Sequence, residues 1–132
     1  METRPHATRI ERVEVKRDDR GEVYEPLAAG EVTALRNVHV VTSRPGAVRG
    51  NHVHRRGTEI LTVVGPALVR LREGDDLRDI DVPPGEVFRF TILPGTAHAV
   101  RNTGEFDQVL VSFNTEGYDA GAPDVVRDVV IE

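Results

Sequence analysis

The stretch that decides the fold lies near the middle of the chain, where residues 46–65 read GAVRGNHVHRRGTEILTVVG. In an extended strand, side chains two residues apart point to the same side. His52 and His54 therefore share one face, with Cα atoms about 6–7 Å apart. Two imidazoles at this spacing can reach a single ion, although an isolated His-x-His pair is more often an ordinary surface feature.

Glu59 stands at the start of the apolar run that follows these histidines. It alternates with Leu61 and Val63, so a strand that buries the two apolar side chains also directs the carboxylate inward. A buried carboxylate without a partner is costly. The pattern therefore predicts an interior partner for Glu59, unless Glu59 is a solvated residue at an edge.

The remainder of the chain consists of short β-branched runs separated by turn residues such as Pro83-Pro84-Gly85 and Asn102-Thr103-Gly104. No stretch shows a convincing helical period. The predicted strands are Ile10–Lys16, Val23–Leu27, Asn37–Ser43, Thr58–Val64, Ala67–Arg72, Leu77–Val82, Glu86–Ile92, Ala97–Arg101, Gln108–Phe113 and Val125–Ile131. Many strands with regular turns predict an all-β antiparallel sandwich or barrel. We expect one domain, residues 10–132, after an N-terminal arm of residues 1–9.

Composition excludes several classes of function. The formal net charge of −5, the mixed charge pattern and only six aromatic residues disfavour nucleic-acid binding. The absence of cysteine rules out thiolate metal sites and cysteine nucleophiles. No apolar run reaches the roughly 18 residues of a membrane span, and the polar N-terminus lacks the apolar region of a secretory signal. We therefore expect a cytoplasmic protein with no nucleic-acid or membrane partner.

A third histidine completes a candidate metal site. His98 follows a Pro94-Gly95 turn and comes about forty residues after Glu59. Imidazole and carboxylate groups are good ligands for zinc, iron, manganese or nickel. If neighbouring strands bring the groups together, His52, His54, Glu59 and His98 bind one divalent metal ion whose identity the ligand types leave open.

The spacing of these residues resembles the two motifs of the cupin superfamily. The first motif spans residues 46–65, with one residue fewer before the last glycine than the family usually has. The second begins at Gly85 and continues in PGTAHAVRN, residues 94–102, where the gap after the glycine is longer and Pro94 abuts Gly95. The resemblance implies a double-stranded β-helix, which is a closed jelly-roll barrel, and usually a homodimer.

A second resemblance covers about residues 18–119. DDRGEVYE at 18–25 and the Arg-Gly-x-His segment that ends at His52 are similar to dTDP-4-dehydrorhamnose 3,5-epimerases. The segment from Arg49 to His54, together with Phe113-Asn114, is similar to the metal-binding cupin domain of capsular-polysaccharide nucleotide-sugar reductases. The resemblance implies an epimerase or isomerase of a nucleotide-activated 4-keto-6-deoxy sugar. It also implies substrate binding by four residues: Arg20, Glu25, Arg49 and Tyr118. For Arg20 and Glu25 the alternative is surface salt bridging.

The epimerase resemblance is incomplete at the residues that would carry the chemistry. His52 matches the catalytic base of the rhamnose-type epimerases, but those enzymes have Gln where this chain has His54. Ser112 and Phe113 occupy the region of their general-acid Tyr, and the chain ends before the region that supplies the Asp partner of their catalytic His. His54 favours metal binding, so His52 can act as the base only in a metal-free site.

With His52 ligating a metal, His39 is the candidate base, since it alternates with Asn37 and Val41 and can face inward. The alternative for His39 is a structural histidine with its hydrogen bonds satisfied.

Two other functions remain open at this point. Three histidines and one glutamate leave two positions of an octahedral metal free, which suits a metal-dependent dioxygenase or cyclase. A small cupin can also bind a ligand without catalysis. Oxygen consumption, or sugar-nucleotide binding without turnover, would separate these alternatives from an epimerase.

Overall fold

The computed structural model describes residues 8–30 and 34–132, and this part of the chain forms twelve β-strands. The strands are β1 (Arg9–Val13), β2 (Val15–Asp18), β3 (Gly21–Tyr24), β4 (Asn37–Ser43), β5 (Val48–His54), β6 (Glu59–Val64), β7 (Ala67–Glu73), β8 (Asp76–Val82), β9 (Val87–Ile92), β10 (Ala97–Asn102), β11 (Gln108–Asn114) and β12 (Val125–Arg127).

Two five-stranded sheets and one hairpin make up the fold. The first sheet has the strand order β1-β9-β6-β11-β4, the second has the order β12-β5-β10-β7-β8, and β2 pairs with β3. Every pairing is antiparallel. Sequence neighbours such as β5 and β6 lie in different sheets. The predicted all-β jelly-roll architecture is therefore confirmed.

Alternation along the strands places the core between the sheets. The core cluster includes Val63, Val69, Leu71, Phe90 and Ile92, each at most 2% exposed. The outward residues of β8 are exposed, as expected for a sheet with one face in water.

Most predicted strands are present, but the bounds of several differ from the prediction. The predicted strand Ile10–Lys16 is divided at Glu14 into β1 and β2. β5 was not among the predicted strands, because VRGNHVH lacks apolar alternation. The predicted strand Val125–Ile131 is limited to Val125–Arg127, which pairs with β5 and closes one edge of the second sheet.

The predicted N-terminal arm, residues 1–9, is described only in part, because residues 1–7 lie outside the described residues. Thr8 is 5% exposed, and its backbone N–H donates to the Glu73 carboxylate at 2.9 Å. β1 begins at Arg9, one residue earlier than predicted. Within residues 8–30 and 34–132, no helix has the length and hydropathy that a membrane crossing requires.

Candidate metal centre and substrate cavity

A bulge in β5 sets the direction of the first two histidines. His98 of β10 lies opposite His52, but Ala99 lies opposite Gly50, so Asn51 is the extra residue. Gly50 has φ +94°, and a Cβ there would lie 2.8 Å from the carbonyl oxygen of His98. Glycine is therefore required at position 50, since any side chain would force the two strands apart beside the site.

The C-terminal segment secures this bulge. Asn51 has φ 55°, a left-handed conformation that asparagine tolerates better than most residues. Its side-chain oxygen accepts the N–H groups of Val130 and Ile131 at 2.9 and 3.0 Å, and its amide donates to the Ile131 carbonyl at 2.8 Å. The bulge that precedes His52 is thus held by residues about 80 positions later.

Glu59 reaches the histidines from the opposite sheet. One oxygen, Oε1, lies 2.8 Å from Nε2 of His54, 3.2 Å from Nε2 of His98 and 3.8 Å from Nε2 of His52. The Glu59 side chain is 6% exposed, whereas the imidazoles range from 2% at His98 to 27% at His52. Four side chains from three strands therefore converge on one point, as the sequence predicted.

Hydrogen bonds on the far side of two imidazoles determine what this point can bind. Nδ1 of His98 faces the Thr96 carbonyl at 3.1 Å, and Nδ1 of His54 faces the Asp124 carboxylate at 3.3 Å. Both partners only accept, so each Nδ1 carries the proton. In the neutral imidazoles, each Nε2 then directs a lone pair at the Glu59 oxygen. Such an arrangement requires a proton or a metal cation at its centre.

The electrostatics of the cluster agree with this requirement. Burial alone raises the pKa of Glu59, but the charge of His98 and the hydrogen bonds from the three imidazoles together hold that pKa well below its ordinary value. Burial lowers the pKa of His98, yet the Glu59 charge and the hydrogen bonds to Glu59 and to the Thr96 carbonyl together outweigh burial and raise the pKa overall. The carboxylate is thus kept ionised, as a metal ligand must be.

The donor set also fits a divalent ion by distance. One ligand atom from each of the four residues lies within 4.8 Å of all the others. With metal–ligand bonds of about 2.0–2.2 Å, two ligands of one ion lie up to about 4.4 Å apart. A contraction of a few tenths of an ångström completes the site, so His52, His54, Glu59 and His98 can hold one divalent cation.

The cluster lies in a cavity of about 380 Å³ between the two sheets, within the range of small-molecule sites. Apolar side chains of Leu61, Val100 and Leu110 separate the cavity from the core. Among the predicted substrate-site residues, His39, Arg49 and Tyr118 line the same cavity. The cavity thus combines an apolar wall, a cluster of candidate ligands and several polar groups.

His39 faces the cavity, as the alternation in β4 predicted. It is exposed and lies opposite Ser112 of β11 in the strand register. Among the described residues, no hydrogen-bond partner is found for its imidazole. The alternative of a satisfied structural histidine therefore has no support in the geometry.

Arg20 and Glu25 lie apart from the cavity lining. Arg20 forms an ion pair with Asp18 at 2.6 Å in the β2–β3 hairpin, and its side chain is 87% exposed. Glu25 follows β3 and accepts a hydrogen bond from Arg89 through its backbone carbonyl. Within one chain, the geometry of Arg20 therefore matches the salt-bridge alternative.

Asp124 is the functional candidate that sequence reasoning missed. The sequence analysis expected no Asp partner for His52, the position that matches the catalytic base of the rhamnose-type epimerases. Asp124 nevertheless lies in the cavity wall against the neighbouring histidine, His54. Asn37, Asn114, Glu116 and Asp119 also line the cavity. Asn114 belongs to the Phe113-Asn114 resemblance, but no motif marks the other three, because they come from a strand end and a long loop that only the fold brings together.

Solved structures similar to this chain share its fold. The capsular polysaccharide assembling protein CapF from Staphylococcus aureus is 27% identical with a TM-score of 0.66, over 89% of this chain and 33% of CapF. The sugar 3,4-ketoisomerase QdtA from Thermoanaerobacterium thermosaccharolyticum, in complex with TDP, is 20% identical with a TM-score of 0.70, over 95% of this chain and 90% of QdtA. The RmlC epimerase from Mycobacterium tuberculosis is 17% identical with a TM-score of 0.66, over 89% and 66% of the two chains.

These likenesses carry different weight. At 20% and 17% identity, QdtA and RmlC establish the fold alone. This chain spans about a third of the length of CapF. No curated protein matches the chain significantly. The sequence does match the family described as polysaccharide biosynthesis C-terminal domain, over residues 16–126. Because this match covers most of the chain, the protein belongs to the polysaccharide biosynthesis C-terminal domain family, and its fold is that of the cupins.

Proposed function

We propose that this protein is a metal-binding epimerase or isomerase of a nucleotide-activated 4-keto-6-deoxy sugar, acting by proton abstraction next to the carbonyl. The observation that carries the proposal is the shared cavity. It holds a convergent ligand cluster and, on a different strand, a histidine without a hydrogen-bond partner among the described residues. The reaction needs a group to polarise the carbonyl and a base beside the adjacent carbon.

Three tasks are then divided among residues of the cavity. A divalent ion bound by His52, His54, Glu59 and His98 would supply Lewis acidity at the carbonyl oxygen. His39 accepts the proton from the carbon next to the carbonyl, and the electrons of that C–H bond pass to the carbonyl oxygen. The same imidazole, or solvent, returns a proton to carbon. Arg49 is the basic side chain of the lining and suits a diphosphate through charge-assisted hydrogen bonds.

The activities of proteins with similar structures support this class of reaction. QdtA is a sugar 3,4-ketoisomerase, and one structure of its H51N mutant contains TDP-4-keto-6-deoxyglucose. RmlC is an epimerase. Both have the fold of this chain, although their identity to it is low. A cytoplasmic location belongs to the same proposal and rests on the sequence alone.

Hydrogen exchange with solvent tests the proposal directly. The protein, supplied with zinc, manganese, nickel or ferrous ion, is incubated with dTDP- and UDP-4-keto-6-deoxy sugars in heavy water. Epimerisation introduces deuterium at C3 or C5, and 3,4-keto isomerisation introduces it at C4. A His39→Gln variant should bind metal but exchange far more slowly. If no position of any sugar takes up deuterium with any of the four metals, the proposal is wrong.

A second candidate function follows from the charge of the cavity. Among the described lining residues, four carry a carboxylate (Glu59, Glu116, Asp119 and Asp124) and one, Arg49, carries a guanidinium. Such a lining favours a ligand with less negative charge than a nucleotide diphosphate. A metal-dependent dioxygenase or cyclase on a small ligand, or a binding module, would fit it. Oxygen uptake by the ferrous protein favours the first, whereas sugar-nucleotide binding without turnover favours the module.

We also propose that the protein forms a homodimer. The outward residues Val38 and Val40 of edge strand β4 are 54% and 70% exposed, and neighbouring Val109 of β11 is 44% exposed. Adjacent exposed apolar side chains on an edge strand are typical of an interface. A Val40→Lys variant should be monomeric by light scattering. Leu77→Lys, at an equally apolar exposed site on the other sheet, should leave the mass unchanged.

A further inference from the structure

We infer that Asp124 is a positioning residue for the metal centre. Its carboxylate holds the His54 imidazole with the proton on Nδ1, so that the Nε2 lone pair is directed at the cluster, and it thereby strengthens cation binding by the four ligands. This inference rests on the proposed metal site. It assigns a function to a residue that contributes no ligand atom to the cluster.

The His54 ring lies between two carboxylates. Its Nδ1 is 3.3 Å from Oδ2 of Asp124, and its Nε2 is 2.8 Å from Oε1 of Glu59. The side chains of His54 and Asp124 are 11% and 10% exposed, so water competes little for either contact. With its Nδ1 proton donated to Asp124, the ring can offer only Nε2 to a cation. A carboxylate on the far nitrogen also makes an imidazole a stronger ligand.

The Asp124 carboxylate is itself held in place by the loop that joins the two ligand strands. Oδ1 accepts the backbone N–H of Arg56 at 2.7 Å, and Oδ2 accepts that of Gly57 at 3.0 Å. The Asp124 carbonyl accepts the N–H of Arg55 at 2.9 Å. These bonds tie Asp124 to three consecutive residues of the connection between His54 and Glu59, so rotation of the carboxylate would break two hydrogen bonds to this loop.

Gly57 makes this close approach feasible. A Cβ at position 57 would lie 2.9 Å from Oδ2 of Asp124 and 2.3 Å from Oδ1 of Asn114. Any other residue would therefore displace the carboxylate or the amide that flank His54. The glycine, the loop N–H groups and Asp124 form one preorganised support for a single imidazole.

Asn114 cannot replace Asp124 in this task. Its Nδ2 lies 3.4 Å from the same Nδ1 of His54, but an amide nitrogen only donates. Its oxygen accepts the backbone N–H of Glu116 at 2.8 Å. Without the Asp124 carboxylate, the neighbour left at Nδ1 would be this donor. It favours the opposite tautomer, with the proton on Nε2, where the cation has to bind.

Zinc titration of three variants tests the inference. We expect Asp124→Ala to weaken zinc binding by about 10- to 100-fold, as loss of an orienting partner does. Asp124→Asn should lie between this variant and the wild type, because its amide oxygen can still accept from Nδ1 but carries no charge. Asp119→Asn is the matched control. It removes a carboxylate from the same cavity, where Asp119 bonds the Gly121 N–H and not an imidazole.

A nuclear magnetic resonance measurement separates positioning from a merely structural role. In the zinc-loaded wild type and in Asp119→Asn, the Nδ1 proton of His54 should be observable and slow to exchange. In Asp124→Ala it should exchange fast, even where the metal-free variant unfolds at the same urea concentration as the wild type. A wild type that binds no zinc overturns the metal site and this inference together. Zinc affinity of Asp124→Ala within about threefold of wild type overturns this inference alone.

Discussion

Replacing Glu59 by Gln should abolish most of the thermal stabilisation that a divalent cation confers. Oε1 of Glu59 lies within 2.8–3.8 Å of all three Nε2 atoms and is the only carboxylate oxygen of the four-atom cluster. The substitution keeps the shape of the side chain but takes the ligand set from one negative charge to none. The loss of affinity should therefore exceed the 10- to 100-fold that follows removal of a residue that only orients a ligand.

The size of the effect follows from mass action. At a free metal concentration 100 times the dissociation constant, a ligand that binds only the native state stabilises it by about 2.7 kcal/mol. For 132 residues, an unfolding entropy of about 2.1 cal/mol/K per residue converts this into a rise in Tm of about 10 °C. A variant that binds 100-fold more weakly gains about 0.4 kcal/mol at the same concentration, or about 1.5 °C.

Differential scanning calorimetry of chelator-treated protein, with and without zinc, nickel, manganese or ferrous ion, measures both shifts. Glu116→Gln is the control. It makes the same chemical change at a cavity carboxylate that is 39% exposed, and it should respond to metal like the wild type. The reasoning is refuted if Glu59→Gln and the wild type show equal shifts, or if none of the four ions raises the Tm of the wild type at millimolar concentration.

Three further predictions follow from the same geometry. His39→Gln should slow sugar exchange by about 100-fold or more but leave zinc affinity unchanged, so a loss of zinc binding in titrations would contradict a role as base. Asn51→Gly keeps the left-handed backbone but loses three side-chain hydrogen bonds to Val130 and Ile131, and urea denaturation should show a loss of about 2 kcal/mol. The ion pair between Glu59 and His98 should make the folding stability of the metal-free protein depend on pH. The raised pKa of His98 gives stability that is present below about pH 6.5 and lost as the pH rises through the folded value. The lowered pKa of Glu59 gives stability that is present above about pH 4.3 and lost on acidification through its folded value. Urea denaturation should therefore show that the free energy of unfolding of the wild type falls between pH 6 and pH 9. The fall should be smaller in Glu59→Gln, and equal falls in the two proteins would exclude the ion pair as the cause.

The candidate ligands could be predicted from the local sequence pattern, because the alternation of side chains along a strand involves only near neighbours. Leu61 and Val63 must be buried, and this alone turns Glu59 inward. The same two-residue period directs His39 towards the cavity. The pattern failed for β5, since a strand that carries ligands and a bulge has little apolar alternation to detect.

Residues brought together by long-range register could not be predicted in the same way. Asp124 contacts His54 across 70 positions of sequence, and Asn51 bonds residues about 80 positions away. Arg20 shows a related limit, because a motif match associates it with the substrate whereas within one chain the fold pairs it with Asp18 outside the cavity lining. A motif reports which residues are present, but not which of them share a cavity.

The amino-acid sequence by itself determined the all-β class and the four candidate ligands, because alternation and turn chemistry act between near neighbours. Only the tertiary structure decided which nitrogen of His54 is available. The Thr96 carbonyl behind His98 is a near neighbour in sequence, but Asp124 lies behind His54 only because β12 pairs with β5. The protonation of a ligand is set by what lies on its far side, and for His54 that partner is 70 positions away in the sequence.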